Sequence, residues 1–549
     1  MQGTEKESVV MQIKTGDIGW RAESKTGVVA AGGAGAVAAG IQIMAAGGNA
    51  ADAAAATILA LNVTDHGACS IGGEVPLLIY DAKNERVRSL SGQGGAPLDV
   101  AAIDWYMEHG IPDKDIKMAP VPSVVDLCIT TLQHFGSKTF AEIVQPALDL
   151  LDAGSEEWHP RLAHTLRRMV EEEQRTTGSR EACLQAACDR FYGRHPERND
   201  IAEELEAFYI ERGGFLRRRD LAAHRTQIEE PVSVSYQGCD VYKCGPWTQG
   251  PYLCQALRLL DGFDLKGMGH FSADYVHVVV EAIKLAMADR DTYYGDPNFV
   301  EVPLDKLFSE EYNSLRRSLI DLKQIALEAR PGNPHTMEAL LAGGGQYRPG
   351  VGGTTTCVVA DRWGNVVAAT PSANVYREGG SGQAGVSFGN RLRSLNTTPG
   401  HPNCIAPGKR PRITLTPTLV LKEGKPLLAI SVAGGDLQDQ ATLNLLLDYC
   451  DFSQLPAEAV VAPRFATVHH QDSFDPNPER VDTLGAAGSL SISDAIGAEV
   501  REGLAQRGHR IEIKDGPIAQ PVMLHVDSDS GTMRAAGDPA AGRHAAGLD

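Results

Sequence analysis

Thr354 and Ser372 stand nine residues to either side of Trp363 in the stretch GGTTTCVVADRWGNVVAATPSAN. Two β-prone runs flank Asp361-Arg362-Trp363-Gly364-Asn365, which has the composition of a five-residue hairpin turn. A hairpin symmetric about Trp363 sets Thr354 opposite Ser372, where Cβ atoms lie about 4.5 to 5.5 Å apart and two hydroxyls can hydrogen-bond. Asn374, two residues further, points to the same side. Breaking the Gly353–Thr354 bond would give Thr354 a free α-amine with a pKa of about 7.7, able to act as base for its own hydroxyl, so that no histidine is required. Glycine at 353 leaves the hydroxyl room to attack the preceding carbonyl, which would let a precursor cut itself. The competing reading is a plain Thr-rich strand, since threonine favours strands in any case.

A second element of this chemistry lies in PLLAISVAGGDLQDQATLNLLLDY. An apolar strand runs into Gly434-Gly435 and then a helix whose expected N-cap is Asp436 or a near neighbour. The first N–H groups of such a helix lack intrahelical acceptors and can stabilise a developing oxyanion. A simple strand-to-helix turn with permissive glycines fits the same residues.

Other chemistries find less support. The ten cysteines form no C-x-x-C pair, and neither Cys183 to Cys188 nor Cys239 to Cys244 has zinc spacing, so reduced structural thiols and no metal are expected. Gly33-Ala34-Gly35-Ala36-Val37-Ala38 mimics a dinucleotide fingerprint, but a second helix follows where that motif needs a strand. Asp52 is then simply a charge at a helix N-terminus.

The elements that must hold these residues alternate along the chain. A short strand and two Ala-rich helices separated by Gly47-Gly48-Asn49 open it. Residues 139–225 carry dense charge at helical spacing, read as solvated helix faces. Residues 274–290 read as an amphipathic helix ending in a turn at YYGDP, and 329–353 as a Pro- and Gly-rich mobile linker. The remainder is β-rich. Strands on both sides of a helical block predict an α/β sandwich built from the whole chain.

Composition narrows the partners. The 549 residues exceed one ordinary core, and 43% hydrophobic with 22% charged residues is a globular composition. No apolar run is long enough to span a bilayer, so no membrane partner is expected. A net charge of −19 argues against nucleic acid and leaves a small polar or peptide-like molecule as partner. The first twenty residues lack the order of a signal peptide, which predicts a cytoplasmic protein, or a periplasmic or secreted one if the true start lies upstream.

In order along the chain come GGNAADAA, ADYVHVVVEAIKLAMADRDTYYGDP, TTTCVVADRWGN, PGKRPRITLTPTLV, VAGGDLQDQ, APRF and AAGDPAAGRHAAG. Together they resemble the γ-glutamyltranspeptidase family of N-terminal nucleophile hydrolases over almost the full length. The resemblance implies a four-layer αββα sandwich made of two autoprocessed subunits, 1–353 and 354–549, that stay together without a cofactor. It also implies Thr354 as nucleophile, Gly434 and Gly435 as oxyanion hole, Ser372 in place of the family's second threonine, and Asn374 in the donor pocket. The activity implied is cleavage of a γ-glutamyl or related acidic acyl amide, by hydrolysis or acyl transfer.

The departures concern the donor pocket. Gln93 stands where the family has an arginine for the donor α-carboxylate, and Ile413 and Thr414 stand for two serines. Arg391 and Ser394 replace a glutamine and an aspartate around the donor ammonium. An arginine there would repel an ammonium and attract a carboxylate. The segment between Asn396 and Lys409 is shorter than the family's lid loop, which predicts an open site. Alternatives are hydrolases of non-amino acid amides, of glutaryl or oxamate type. From other classes come an unprocessed inactive binding protein and, more remotely, a nucleotide-dependent oxidoreductase.

Overall fold

The computed structural model describes residues 18–340, 353–476, 484 and 486–548. Two seven-stranded antiparallel sheets lie face to face. The first runs through His544–Leu548, Gly27–Ala31, Cys357–Asp361, Val366–Ala369, Val75–Asp81, Arg86–Gly92 and Ile228–Glu229. The second runs through Arg21–Ser24, Thr532–Gly537, Gln520–Asp527, Lys425–Ala433, Thr418–Lys422, Cys239–Lys243 and Val232–Tyr236. Strands from before and after residue 353 are interleaved in both sheets.

The period-two alternation of side chains divides each strand between two cores. In the first sheet Val28, Ala30, Leu78, Val358 and Ala368 face the second, where they meet Leu419, Ala429, Val522 and Leu524. Their neighbours Val29, Leu77, Val359 and Val367 pack instead on a helical layer that includes Ala34–Ala45 and Ala50–Thr64. Pro251–Leu260, Ala273–Tyr293 and Gln438–Cys450 cover the outer face of the second sheet. The result is the expected αββα sandwich. Strands buried on both faces have no polar side to display, which is why VVAA and TLVL read as continuous apolar runs.

The helix Ala50–Thr64 is buried through most of its length, and its alanines allow close approach to the sheet. Asn49 and Asp52 form a capping box at its start, and Asp52 also accepts from the Ser137 and Lys138 N–H groups. The part expected of Asp52 is therefore confirmed and extended.

Three local expectations need correction. Ala273–Tyr293 is buried around its whole circumference rather than amphipathic, because its polar residues are paired inside the protein: Glu281 with Lys284 and Arg330, and Asp289 with Arg316. Charge in 139–225 is not all solvated, since Arg168 and Arg190 are buried against Glu204 and Asp200 at 2.7 and 3.0 Å. In the expected linker, Gly332–Asn333 pairs with Glu338–Ala339, and the Gly332 N–H donates to Asp289 at 2.9 Å, so this part is docked; residues 341–352 lie outside the described residues. Among the described residues no helix is long and apolar enough to cross a membrane.

Candidate active site

The hairpin register pairs Cys357 with Ala369, Val358 with Ala368, Val359 with Val367 and Ala360 with Val366, which centres the turn on Trp363. Asp361 closes that turn by accepting from the Trp363 and Asn365 N–H groups at 2.8 and 3.0 Å. At the open end an isolated bridge joins Thr354 to Ser372, as symmetry requires. Their hydroxyl oxygens are 3.3 Å apart.

Each of the three consecutive threonines has a separate place. Thr354 faces Ser372. The Thr355 hydroxyl donates to Asp65 at 2.5 Å, and Asp65 in turn accepts from the Gly33 N–H at 2.9 Å. The carbonyl of Thr356 accepts from the Gly32 N–H at 3.3 Å. Asp65 follows the Ala-rich helix and Gly33 precedes its neighbour, so the start of the chain grips the strand that carries Thr354.

Ser372 is the hub of the site. Its hydroxyl donates to the carbonyl oxygen of Gly353 at 2.6 Å, and it accepts from Nη2 of Arg391 at 2.8 Å. A serine has one proton to donate. With that proton on the Gly353 carbonyl, the Thr354 hydroxyl is the donor in the 3.3 Å contact. The Gly353 carbonyl is thus polarised while the neighbouring hydroxyl is drawn toward a hydrogen-bond acceptor.

Gly353 fits only as glycine. A Cβ there would lie 2.9 Å from Asn374 Cα and 3.0 Å from the Gly67 oxygen. Asn374 adopts φ 50°, a left-handed conformation that asparagine tolerates, with its N–H on the Ala68 carbonyl at 3.3 Å.

Arg391 opens a short 3-10 turn, Arg391–Ser394, and is 1% exposed. Its Nε donates to Glu74 at 2.6 Å, and Glu74 is itself bound to Ser372 by two backbone hydrogen bonds of 2.9 Å. Burial pushes the Glu74 carboxyl up, with Arg391 and the Ser372 hydroxyl opposing. The Phe474 ring lies over the guanidinium, 5.1 Å from its centre, in cation–π geometry. Nη1 of Arg391 and the hydroxyls of Ser394 and Thr414 have no hydrogen-bond partner among the described residues, although all three side chains are buried. Oε2 of Glu74, beside Arg391, is a further buried polar atom without a hydrogen-bond partner among the described residues.

Gly434 and Gly435 end the strand Lys425–Ala433 with φ 155° and 60°, conformations that glycine alone adopts freely. Two features bring this turn to the Ser372 end of the sandwich. Thr370 and Ser431 bridge the sheets through their hydroxyls at 3.0 Å, and a Cβ on Gly435 would sit 3.6 Å from the Phe474 ring that covers Arg391. Asp436 does not cap the helix Gln438–Cys450, whose N-cap is Leu437. Its carboxylate accepts instead from Arg290 and Ser473, both at 2.6 Å. Burial alone would raise the Asp436 carboxyl, but Arg290 holds it well below the usual range. Arg412 also donates to Ser473, at 3.0 Å, so two arginines pin the loop that presents Phe474.

Not every expected residue joins this cluster. The Gln93 side chain donates to the carbonyl of its neighbour Gly94 at 2.8 Å and lines a separate cavity of about 320 Å³ with His224 and Arg410. Ile413 is part of the core between the sheets. The site is not open, because Thr354 is only 8% exposed and the Phe474 loop covers Arg391. Sequence reasoning missed Glu74 and Phe474. An acid just before the apolar strand VPLLIY was a visible signal for Glu74, whereas QDSFDPNPER offers none for Phe474.

The family model for Gamma-glutamyltranspeptidase matches residues 36–186 and 151–548. The glutathione hydrolase proenzyme of Escherichia coli K12 is 29% identical over 522 residues, covering 87% of this chain and 86% of its own. The acylase ACY 1 proenzyme of Pseudomonas sp. SE83 is 28% identical over 519 residues, covering 87% and 85%. A solved structure of LmbA2991HD superposes with a TM-score of 0.84 at 30% identity, covering 96% of this chain and 99% of that one.

Proposed function

Because the chain belongs to the γ-glutamyltranspeptidase family of N-terminal nucleophile amidohydrolases, we propose that it cuts its own Gly353–Thr354 bond and then cleaves an acidic acyl amide through an acyl-enzyme on Thr354. The observation that carries this reading is the Ser372 hydroxyl, 2.6 Å from the Gly353 carbonyl and 3.3 Å from the Thr354 hydroxyl. In the first stage the Thr354 oxygen attacks the Gly353 carbonyl carbon. The new C–O bond replaces the C–N bond, and water hydrolyses the resulting ester. The products are residues 1–353 and 354–549, held together by the shared sheets. The relatives named proenzymes support such a step.

In the second stage the freed α-amine takes the proton of the Thr354 hydroxyl as it attacks a substrate amide, and returns it to the leaving amine. The N–H groups of Gly434 and Gly435 are the donors for the oxyanion, and water or an acceptor amine releases the acyl group. Asn374 lines the donor side.

The acyl group we infer is a carboxylic acid without an adjacent ammonium, as in glutaryl or oxalyl amides. Nη1 of Arg391, with Ser394 and Thr414, offers hydrogen bonds to a carboxylate. Glu74 offsets the net charge of Arg391 and keeps an unpartnered Oε2, so the preference rests on Nη1 rather than Oε2 meeting the acyl group: a guanidinium donates and never accepts. The Pseudomonas acylase supports this reading and the Escherichia coli glutathione hydrolase supports a γ-glutamyl donor.

Intact mass of the purified protein tests the first stage, with fragments of 353 and 196 residues expected from the 549 and a single uncut chain from Thr354→Ala. Active protein that stays uncut, or is cut elsewhere, would overturn it. Paired kcat/KM values for glutaryl and γ-glutamyl anilides test the second, with the glutaryl substrate expected to be preferred.

A further inference from the structure

Ser372 can polarise the Gly353 carbonyl only if its hydroxyl is held in that direction, since a serine side chain otherwise rotates among three wells. The hold comes from Arg391, whose Nη2 donates to the serine oxygen at 2.8 Å. An arginine side chain is long and flexible, so a partner must fix its direction. Glu74 does so. Its carboxylate takes Nε at 2.6 Å, and its backbone is doubly bonded to that of Ser372. One residue therefore ties both ends of the contact to the same strand edge. The guanidinium fork is rigid, so Nε fixed on Glu74 sets where Nη2 must point.

We propose that Glu74 is a positioning residue for self-cleavage: it aims Arg391 at Ser372 and so keeps the serine hydroxyl on the Gly353 carbonyl. The inference rests on the reading of Thr354 and Ser372 given above and adds a residue that does not touch the reacting atoms. A charged donor on the serine oxygen also strengthens the bond that serine donates, because hydrogen bonds in a chain polarise one another. Glu74 acts on Ser372 through Arg391 and also faces the Ser372 hydroxyl with its own carboxylate.

Self-cleavage of freshly synthesised or refolded chain, followed by intact mass beside thermal melting, tests this. Glu74→Gln keeps an acceptor for Nε and should process within a few-fold of the parent. Glu74→Ala frees the guanidinium and should slow processing by roughly 10-fold to 100-fold, approaching the effect of losing an oxyanion donor. If Glu74 served only to neutralise a buried arginine, the glutamine variant would be as impaired as the alanine one, and that result would overturn the proposal. Should Glu74→Ala fail to fold, Arg391→Lys carries the test. It keeps the cation beside Glu74, but its single nitrogen cannot span to Ser372, so slow processing at an unchanged Tm is expected, and a parental rate would refute the proposal. A parent cut at Gly353–Thr354 whose Glu74→Ala variant is equally fast overturns this inference alone. A parent not cut there removes the reading of Thr354 together with it.

Discussion

Replacing Ser372 by alanine separates the chemistry of this site from its architecture. The substitution removes the donor at 2.6 Å from the Gly353 carbonyl and the oxygen toward which the Thr354 hydroxyl is directed. Losing one preorganised donor to a developing oxyanion costs about 2.7 to 4 kcal/mol, or roughly 10²-fold to 10³-fold in rate. The same change leaves Nη2 of Arg391 buried without its acceptor, a stability loss on the order of 1–3 kcal/mol. The backbone bridges of Ser372 to Thr354 and Glu74 need no side chain, so the fold should persist. The assay is the time course of conversion of the full chain to its two fragments, measured by intact mass, with a melting curve on the same preparation. Slow conversion with Tm lowered by a few degrees is expected, and Ser372→Thr, which keeps a hydroxyl, should convert within a few-fold of the parent. Conversion of the alanine variant at the parental rate would refute the assignment of the carbonyl-polarising role to this side chain.

Gly353→Ala should leave the chain largely uncut, because its Cβ would press on Asn374 Cα at 2.9 Å and the Gly67 oxygen at 3.0 Å; intact mass reads the outcome, and normal cleavage would mean the segment shifts freely. Arg391→Gln with Ser394→Asp should move the glutaryl to γ-glutamyl ratio of kcat/KM toward γ-glutamyl by about ten-fold or more, while lowering both values through Ser372. Glu74, left without its arginine, would then attract the donor ammonium, and an unchanged ratio would place the acyl group elsewhere. Burial holds His224, His469 and His509 below the usual range, at about 4, 3 and 3, whereas the unfolded chain titrates near 6.5. The unfolded state therefore binds more protons below that value, and stability present above about pH 6.5 is lost as the pH falls toward 4, on the order of 1–2 kcal/mol per histidine by pH 5. Melting curves across that range should show Tm falling with acidification, and a flat profile would mean these rings are solvated.

The hairpin was legible in the sequence because its information is local. Period-two alternation and the turn chemistry of Asp361 to Asn365 set the register, and counting from Trp363 alone located Ser372 opposite Thr354. The order of the layers came from the family resemblance, since an apolar strand buried on both faces looks the same in many architectures. Glu74 was visible as an acid before an apolar strand, but its role was hidden because that depends on Arg391, 317 residues away. Phe474 was hidden altogether, its role being defined by Arg391 and Gly435 together. The helix Ala273–Tyr293 misled because Glu281, Asp289 and Arg290 look solvated until their distant partners are known.

The interleaving of strands from both sides of residue 353 changes what unfolding means for this molecule. In the first sheet His544–Leu548 pairs with Gly27–Ala31, which pairs with Cys357–Asp361, and Val366–Ala369 pairs with Val75–Asp81. A piece ending at 353 or beginning at 354 would expose core-facing strand edges along both sheets. Before scission, refolding is a first-order event within one chain. After the proposed scission it would become second order, and the melted state would gain the translational entropy of two independent bodies. The mature protein should then recover from denaturation in proportion to its concentration, while the Thr354→Ala chain recovers at a rate independent of dilution. If the proposed self-cleavage occurs, persistence of the cut form would depend on the height of the unfolding barrier rather than on the depth of an equilibrium, and a reversible fold would become one assembled once.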